Sequence, residues 1–259
     1  MAVTTNIEGG VATVTLDRPE KHNAFDEAMI GALTVAFGEL GSDDNVRVVL
    51  LGGRGKSFCA GADLEWMRRS QSFGAEDNLA DAGALADMLH RLYTLPKPTV
   101  AVVDGAALGG GVGLVAACDI AIATEKAVFA LSEARLGLVP ATIGPYVAEA
   151  IGVRACRRYF LSAERFDARR ALRLGLVHEV VGEGDLGLRV ASLIGDLLAC
   201  GPMAQATAKA LLRRLAGREI DVEMRAETAA LIAEVRSGAE ARDGIASFLD
   251  KRAPRWVAP

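Results

Sequence analysis

The chain has 259 residues, 51% of them hydrophobic, and a formal net charge of −4. That length allows one large domain, or one domain with a small appendage, and the composition supplies a sizeable core. The slightly acidic balance without a long basic run excludes nucleic acid as a partner, and three histidines with four cysteines that form no CxxC pair exclude a zinc cluster or other metal site.

The opening "MAVTTNIEGGVATVTLDRP" has no charged head followed by an apolar stretch, so no signal peptide is expected. Residues 2–7 and the alternating "VATVTL" (11–16) predict a hairpin turned by "EGG". From Asp26, apolar residues at Met29, Ile30, Leu33, Phe37 and Leu40 fall at helical spacing. "VRVVLLGG" (46–53) is an apolar strand, followed by a loop of small residues over 53–63. Leu79, Leu85, Met88, Leu89 and Leu92 mark a helix that "LPKP" (95–98) ends, and "TVAVV" (99–103) is another buried strand.

The run 105–118 is free of charge and rich in glycine, but its 14 residues fall short of the roughly 20 needed to span a bilayer, so no membrane is expected as a partner. "DIAIA" (119–123) and "AVFAL" (127–131) are short strands. Beyond Gly144 the pattern is helical over 144–161, 167–174, 185–199, 202–215, 221–236 and 240–251, with one strand, "LVHEVV" (176–181). Strands alternating with helices, then helices alone, predict an α/β fold with a helical C-terminal region. The boundary is placed at 1–200 and 201–259, with no linker between. Free thiols fit a reducing, cytoplasmic location.

Two loops look alike: "CAGADL" (59–64) and "LGGGVG" (108–113) each follow a buried strand and lead into a helix. Small residues there let backbone N–H groups converge on one ligand oxygen, an oxyanion hole. Tight packing of a helix start against a strand is the alternative. Gly111 to Ala116 also matches GxGxxA, with Glu133 22 residues after Gly111, but the seven residues 104–110 separate it from the preceding strand, which argues against a dinucleotide site.

The segments "RPEKHNAF" (18–25), "SFCAGADL" (57–64), "LPKPTVAVVDGAALGGGVGLVAACDIAIA" (95–123), "FALSEARLGLVP" (129–140), "ALRLGLVHEVV" (171–181) and "GIASFLDKRAPRW" (244–256) resemble the enoyl-CoA hydratase/isomerase (crotonase) superfamily, in order and over nearly the whole chain. The resemblance implies a spiral of ββα units, a helical C-terminal region used in trimerisation, a homotrimer or a hexamer made of two trimers, and an acyl-CoA thioester substrate. Coenzyme A then arrives as part of the substrate, with no separate cofactor.

Carried over by position, the N–H groups of Ala62 and Gly110 form the oxyanion hole. Lys21 and the backbone around Ala24, Ala60 and Leu64 contact the CoA moiety. Phe248 and Lys251 reach the adenine and phosphate of a neighbouring subunit's ligand; the alternatives are core packing for Phe248 and ordinary solvated side chains for both lysines. Family members of the two-glutamate type carry one carboxylate in GGGxE and a second about twenty residues later. Here the first position is Gly113 and the second is Glu133. Glu133 is therefore the proton-transferring candidate, and Gly113 is expected to leave room for the acyl group. Asp119 reads as structural, Glu65 as facing either pocket or solvent, and His90 as an ordinary helix histidine. "GGGVGLVAACDIAIA", "LSEARLGLVPATIGPYVAEAIG" and "RACRRYFLSAERFDARRA" resemble hydratases of methylglutaconyl-CoA and related substrates of leucine and isoprenoid breakdown. Such substrates carry a distal carboxylate, for which Arg135 is the candidate partner. A 2-enoyl-CoA hydratase is the leading expectation. A single-carboxylate Δ3,Δ2-enoyl-CoA isomerase and a non-catalytic acyl-CoA-binding relative are the alternatives.

Overall fold

The computed structural model describes residues 2–257. It opens with an antiparallel hairpin of β1 (Val3–Glu8) and β2 (Val11–Leu16). Gly9 and Gly10 both have positive φ at its turn (56° and 81°), the conformation that lets a two-residue turn follow the twist of its strands. The next strands of this sheet are β3 (Val48–Gly53), β5 (Thr99–Val103), β7 (Ile120–Thr124) and β10 (Glu179–Val181). The order is β1-β2-β3-β5-β7-β10, parallel from β2 onward.

A second sheet holds four short strands, β4 (Ser57–Cys59), β6 (Ala106–Leu108), β8 (Val128–Ala130) and β9 (Phe166–Asp167). A strand of the first sheet, a strand of the second and a helix thus succeed one another three times. α2 (Leu64–Ser70) and α3 (Ala75–Thr94) close the first unit, α4 (Gly110–Ala117) the second and α5 (Gly144–Ser162) the third. This is the ββα spiral of the expected α/β class.

The main core lies between the two sheets and α1 (Glu27–Ser42), α3, α4 and α5, and includes Phe25, Leu33, Phe58, Met88, Leu92 and Phe129. α4 is buried on nearly every side, consistent with its uniformly apolar sequence. The outer face of the large sheet, Val48, Leu50, Val100 and Ile122, is covered by α7 (Leu186–Ala199) through Val190, Leu193 and Leu197. α6 (Ala168–Leu174), α8 (Pro202–Leu215), α9 (Val222–Ser237) and α10 (Ala239–Leu249) complete the chain. Arg47, beside the hairpin, ties this end to the sheet by donating to the carbonyls of Leu198, Cys200 and Trp256.

The structure departs from the sequence reading in its shortest elements. β4 and β6 lie where only glycine-rich loop was read, because three residues are too few to display alternation. The strand expected over 176–181 shortens to Glu179–Val181, while Leu176 and Val177 are buried ahead of it. Leu79 is exposed, so the apolar stripe of α3 narrows to Met88, Leu89 and Leu92, with Leu85 half-buried. α5 runs across a break at Gly152 (φ 75°, ψ 151°).

Candidate active site

The two look-alike loops meet. Gly61 has φ +89°, and a methyl group built on it would lie 3.0 Å from the carbonyl oxygen of Leu108. Gly109 has φ 50°, and a methyl group there would lie 3.9 Å from the Cα of Gly61 and 3.3 Å from Oε1 of Glu133. Each glycine is therefore required twice, by its backbone conformation and by its neighbour. The loop before α2, the loop before α4 and the Glu133 carboxylate converge on one place.

Two N–H groups there have no backbone partner among the described residues. Phe25 and Ala62 form an isolated parallel bridge, in which Phe25 N–H donates to Gly61 and Asp63 N–H donates to Phe25. The Ala62 N–H is left out of that pairing. Gly110 is the first residue of α4, where an N–H has no acceptor within its own helix. Among the described residues neither N–H finds a backbone acceptor elsewhere.

Glu133 opens a short 3-10 turn, Glu133–Leu136, directly after the small sheet. Its Oε2 is buried and has no hydrogen-bond partner among the described residues. Burial pushes its carboxyl above the ordinary glutamate range, with its own backbone N–H pulling the other way. Desolvation without an ion-pair partner favours the protonated form of the carboxyl.

The mouth of the site is built from 18–25 and 60–65. Ala60 N–H donates to His22, and the Lys21 ammonium pairs with Glu65 at 3.0 Å. Lys21, Ala24, Ala60, Ala62 and Leu64 therefore share one region, with Leu64 71% exposed and Ala24 buried. Glu65 faces solvent and the lysine, not the carboxylate site.

The scaffold under this mouth was missed in the sequence. Arg18 donates to the carbonyl of Ala24 and pairs with Asp26 at 2.6 Å and Asp63 at 3.1 Å. Buried Asn23 accepts from Arg18 N–H and donates to the carbonyls of Arg54 and Ser57. Asp63 caps α2 through the N–H groups of Glu65 and Trp66. Burial alone would raise the Asp63 carboxyl, but those two N–H bonds and the charges of Lys21 and Arg18 outweigh it and hold it below the usual range. The only hint in the sequence was polar residues clustered in "DRPEKHN" beside an apolar strand.

Other expected residues fall elsewhere. Arg135 is exposed on the turn that carries Glu133. Phe248 (84% exposed) and Lys251 lie at the end of α10, which packs on α8 and α9, so this chain does not bring them to its own loops. Gly113 was expected to leave room; instead it is buried, and the side chain of Ile143 fills the space above its Cα. Asp119 is structural as expected: it accepts from Thr99 N–H and Oγ1 and pairs with Lys209 at 2.6 Å. His90 is exposed on α3. Among the described residues no single helix is long and apolar enough to cross a membrane.

Known proteins share this fold and much of this sequence. The family model described as enoyl-CoA hydratase/isomerase matches residues 6–259. An enoyl-CoA hydratase structure from Shewanella pealeana is 44% identical with a TM-score of 0.96, over 99% of this chain and 96% of that one. The structure of Pseudomonas aeruginosa AtuE is 38% identical with a TM-score of 0.95, over the full length of both. The short-chain-enoyl-CoA hydratase of Clostridium acetobutylicum is 32% identical over 95% of this chain and 93% of its own. With nearly its whole length matched, and with the paired glycine loops facing a buried glutamate, the chain belongs to the enoyl-CoA hydratase/isomerase family.

Proposed function

We propose that this protein hydrates a 2-enoyl-CoA thioester whose acyl group is branched or dicarboxylic, of the methylglutaconyl-CoA kind. The observation that carries the reading is Glu133: a buried carboxylate oxygen without a partner, at the junction where the Gly61 and Gly109 loops meet. The N–H groups of Ala62 and Gly110 hold the thioester oxygen, where negative charge develops. Glu133 accepts a proton from water as the hydroxyl oxygen bonds to the β-carbon. The double-bond pair moves into the enolate, and Glu133 then delivers the proton to the α-carbon. Arg135, on the same turn, meets a distal carboxylate. Lys21 and the backbone at Ala24, Ala60 and Leu64 bind the CoA moiety.

The assembly proposed is a homotrimer or a hexamer of two trimers. Exposed Ile220, Val222, Ile232, Phe248 and Leu249 on and beside the C-terminal helices supply apolar surface for it. Phe248 and Lys251 then serve a neighbour's ligand.

A Δ3,Δ2-isomerase is the second reading. It is favoured by the single carboxylate, since one group suffices to move a proton between two carbons. Turnover of crotonyl-CoA, 3-methylglutaconyl-CoA and a 3-enoyl-CoA separates the readings, with the branched 2-enoyl thioester expected to be fastest. A faster 3-enoyl-CoA makes the isomerase correct, and binding of all three without turnover makes the chain a non-catalytic relative. Glu133→Gln is expected to lower kcat by roughly 10²–10⁴ while acyl-CoA binding persists. Activity within threefold of the parent would remove Glu133 from the chemistry.

A further inference from the structure

Phe25 touches both residues whose N–H groups lack a backbone acceptor. Its main chain runs beside Ala62: Phe25 N–H donates to the Gly61 carbonyl at 2.7 Å, and the Phe25 carbonyl accepts from Asp63 N–H at 2.7 Å, so the two bonds bracket Ala62. Its ring lies against the first residue of α4. A methyl group built on Gly110 would fall 2.7 Å from Cε2 and 2.9 Å from Cδ2 of that ring, so only glycine lets the aromatic edge come this close to the α4 backbone. Phe25 is itself fixed from both sides. Arg18 donates to the Ala24 carbonyl and pairs with Asp26, the residues before and after it, and also reaches Asp63. Asp26 in turn caps α1 by accepting from Met29 N–H at 2.8 Å. With 1% of Phe25 exposed, the ring has packed neighbours and no room to swing.

We infer that Phe25 is a positioning residue for the reaction: its backbone fixes the place of the Ala62 N–H, its ring fixes that of the Gly110 N–H, and the residue thereby sets the spacing of the two donors. This rests on the reading of Ala62 and Gly110 given above. The two loops also touch directly, Gly61 against Gly109 and Cys59 against Gly111, but those contacts join the neighbours of the donor residues, whereas Phe25 bears on the donor residues themselves. The two attachments differ in kind. The backbone bonds to Gly61 and Asp63 form with any side chain at position 25; the contact with Gly110 needs the ring. Truncating the ring therefore frees one donor and leaves the other bonded. A misplacement of about 1 Å in such a site can cost about 10²-fold in rate.

The test compares Phe25→Ala, Phe25→Leu and Phe37→Ala, the last removing an equally buried ring (2% exposed) from within α1. Both alanines are expected to lower Tm, since each leaves a cavity. Only Phe25→Ala should lower kcat on the fastest thioester, by roughly tenfold to 10²-fold, with KM within about twofold of the parent. Phe25→Leu should recover most of that loss. Two binding probes separate position from general damage. The enolate of acetoacetyl-CoA shares its negative charge with the thioester oxygen and reports on the two donors; free CoA lacks that oxygen and reports on the rest of the site. Affinity for acetoacetyl-CoA should fall in step with kcat across Phe, Leu and Ala, while affinity for CoA stays level. If alanine prevents folding, the leucine step decides alone, with about a threefold fall in kcat and in acetoacetyl-CoA affinity expected. Parent-like kcat in a folded Phe25→Ala protein, an equal kcat loss in Phe37→Ala, or a parallel loss of CoA affinity overturns the inference. A parent that binds acetoacetyl-CoA no more tightly than CoA overturns instead the reading of Ala62 and Gly110, and the inference with it.

Discussion

Glu133 is held where one of its oxygens is buried and has no donor among the described residues. Folding raises its pKa, so the native state holds this proton more tightly than the unfolded chain does. The stabilising contribution is therefore present at low pH and is lost as pH rises through the folded-state value. Two outcomes follow at this scale. The Tm of Glu133→Gln relative to the parent should increase from pH 4 to pH 8, because glutamine carries no charge to desolvate. In the mechanism proposed above turnover needs the ionised carboxylate, so it should fall on acidification through a pKa above the ordinary glutamate value of 4.5. A kcat profile flat down to that ordinary value would contradict the burial that the structure assigns to this side chain.

Two helix starts form the site, and each is set by a different device. α4 begins at Gly110, whose N–H is free because it opens the helix. Proline is tolerated at a first helical position, so Gly110→Pro removes the donor without removing an intrahelical bond. Its ring also meets Phe25, so Phe25→Leu accompanies it as a relieving change. The doubly substituted protein should fold by circular dichroism and lose roughly 10²–10³ in kcat relative to Phe25→Leu alone. Equal activity would mean that the Gly110 N–H does not meet the thioester. α2 begins at Asp63, a cap that also holds Arg18. Asp63→Ala should cost about 1–2 kcal/mol for the lost cap, and more for a guanidinium deprived of one partner. KM for acyl-CoA should rise as well, since Arg18 also positions Ala24. Because the Asp63 carboxyl is held below its usual range, its contribution is present near neutrality and disappears as pH falls through the folded-state value. The stability gap between parent and Asp63→Ala should accordingly narrow in acid. A gap that is independent of pH would contradict the lowering of the Asp63 carboxyl by its two N–H bonds and two cations.

At the scale of the molecule, the C-terminal helices join the spiral through directed polar contacts. Arg47 donates to three carbonyls of that end, and Lys209 of α8 reaches Asp119 just after α4. Among the side chains that these helices leave outward are two adjacent large apolar ones: Phe248 is 84% and Leu249 72% exposed. These two side chains are the candidates for a contact between copies of the chain in the assembly proposed above. Replacing both with serine should lower the mass measured by light scattering from that of a trimer or hexamer toward a monomer. It should also raise KM for acyl-CoA if Phe248 serves a neighbour's ligand. An unchanged mass would place the contacts between copies elsewhere.

The sequence by itself determined the α/β class, the helical C-terminal region and the two small-residue loops. Each is written in local pattern: the four-residue apolar core of β3, the spacing of Met29, Leu33, Phe37 and Leu40 along α1, and glycines where backbones must approach. Glu133 is picked out by resemblance to a family, not by any local pattern around it. Only the tertiary structure decided that the strands divide between two sheets, since three-residue strands such as β4 and β6 have no period to read. It alone joined Arg18 to Asp63 across 45 residues and set Ile143 over Gly113 across 30 positions of the chain. Such partners are chosen by packing distance, which a local pattern does not encode. Gly113 shows the consequence: as a letter it promised room for a substrate, and in the fold that room belongs to Ile143, because a close-packed interior leaves few spaces unfilled.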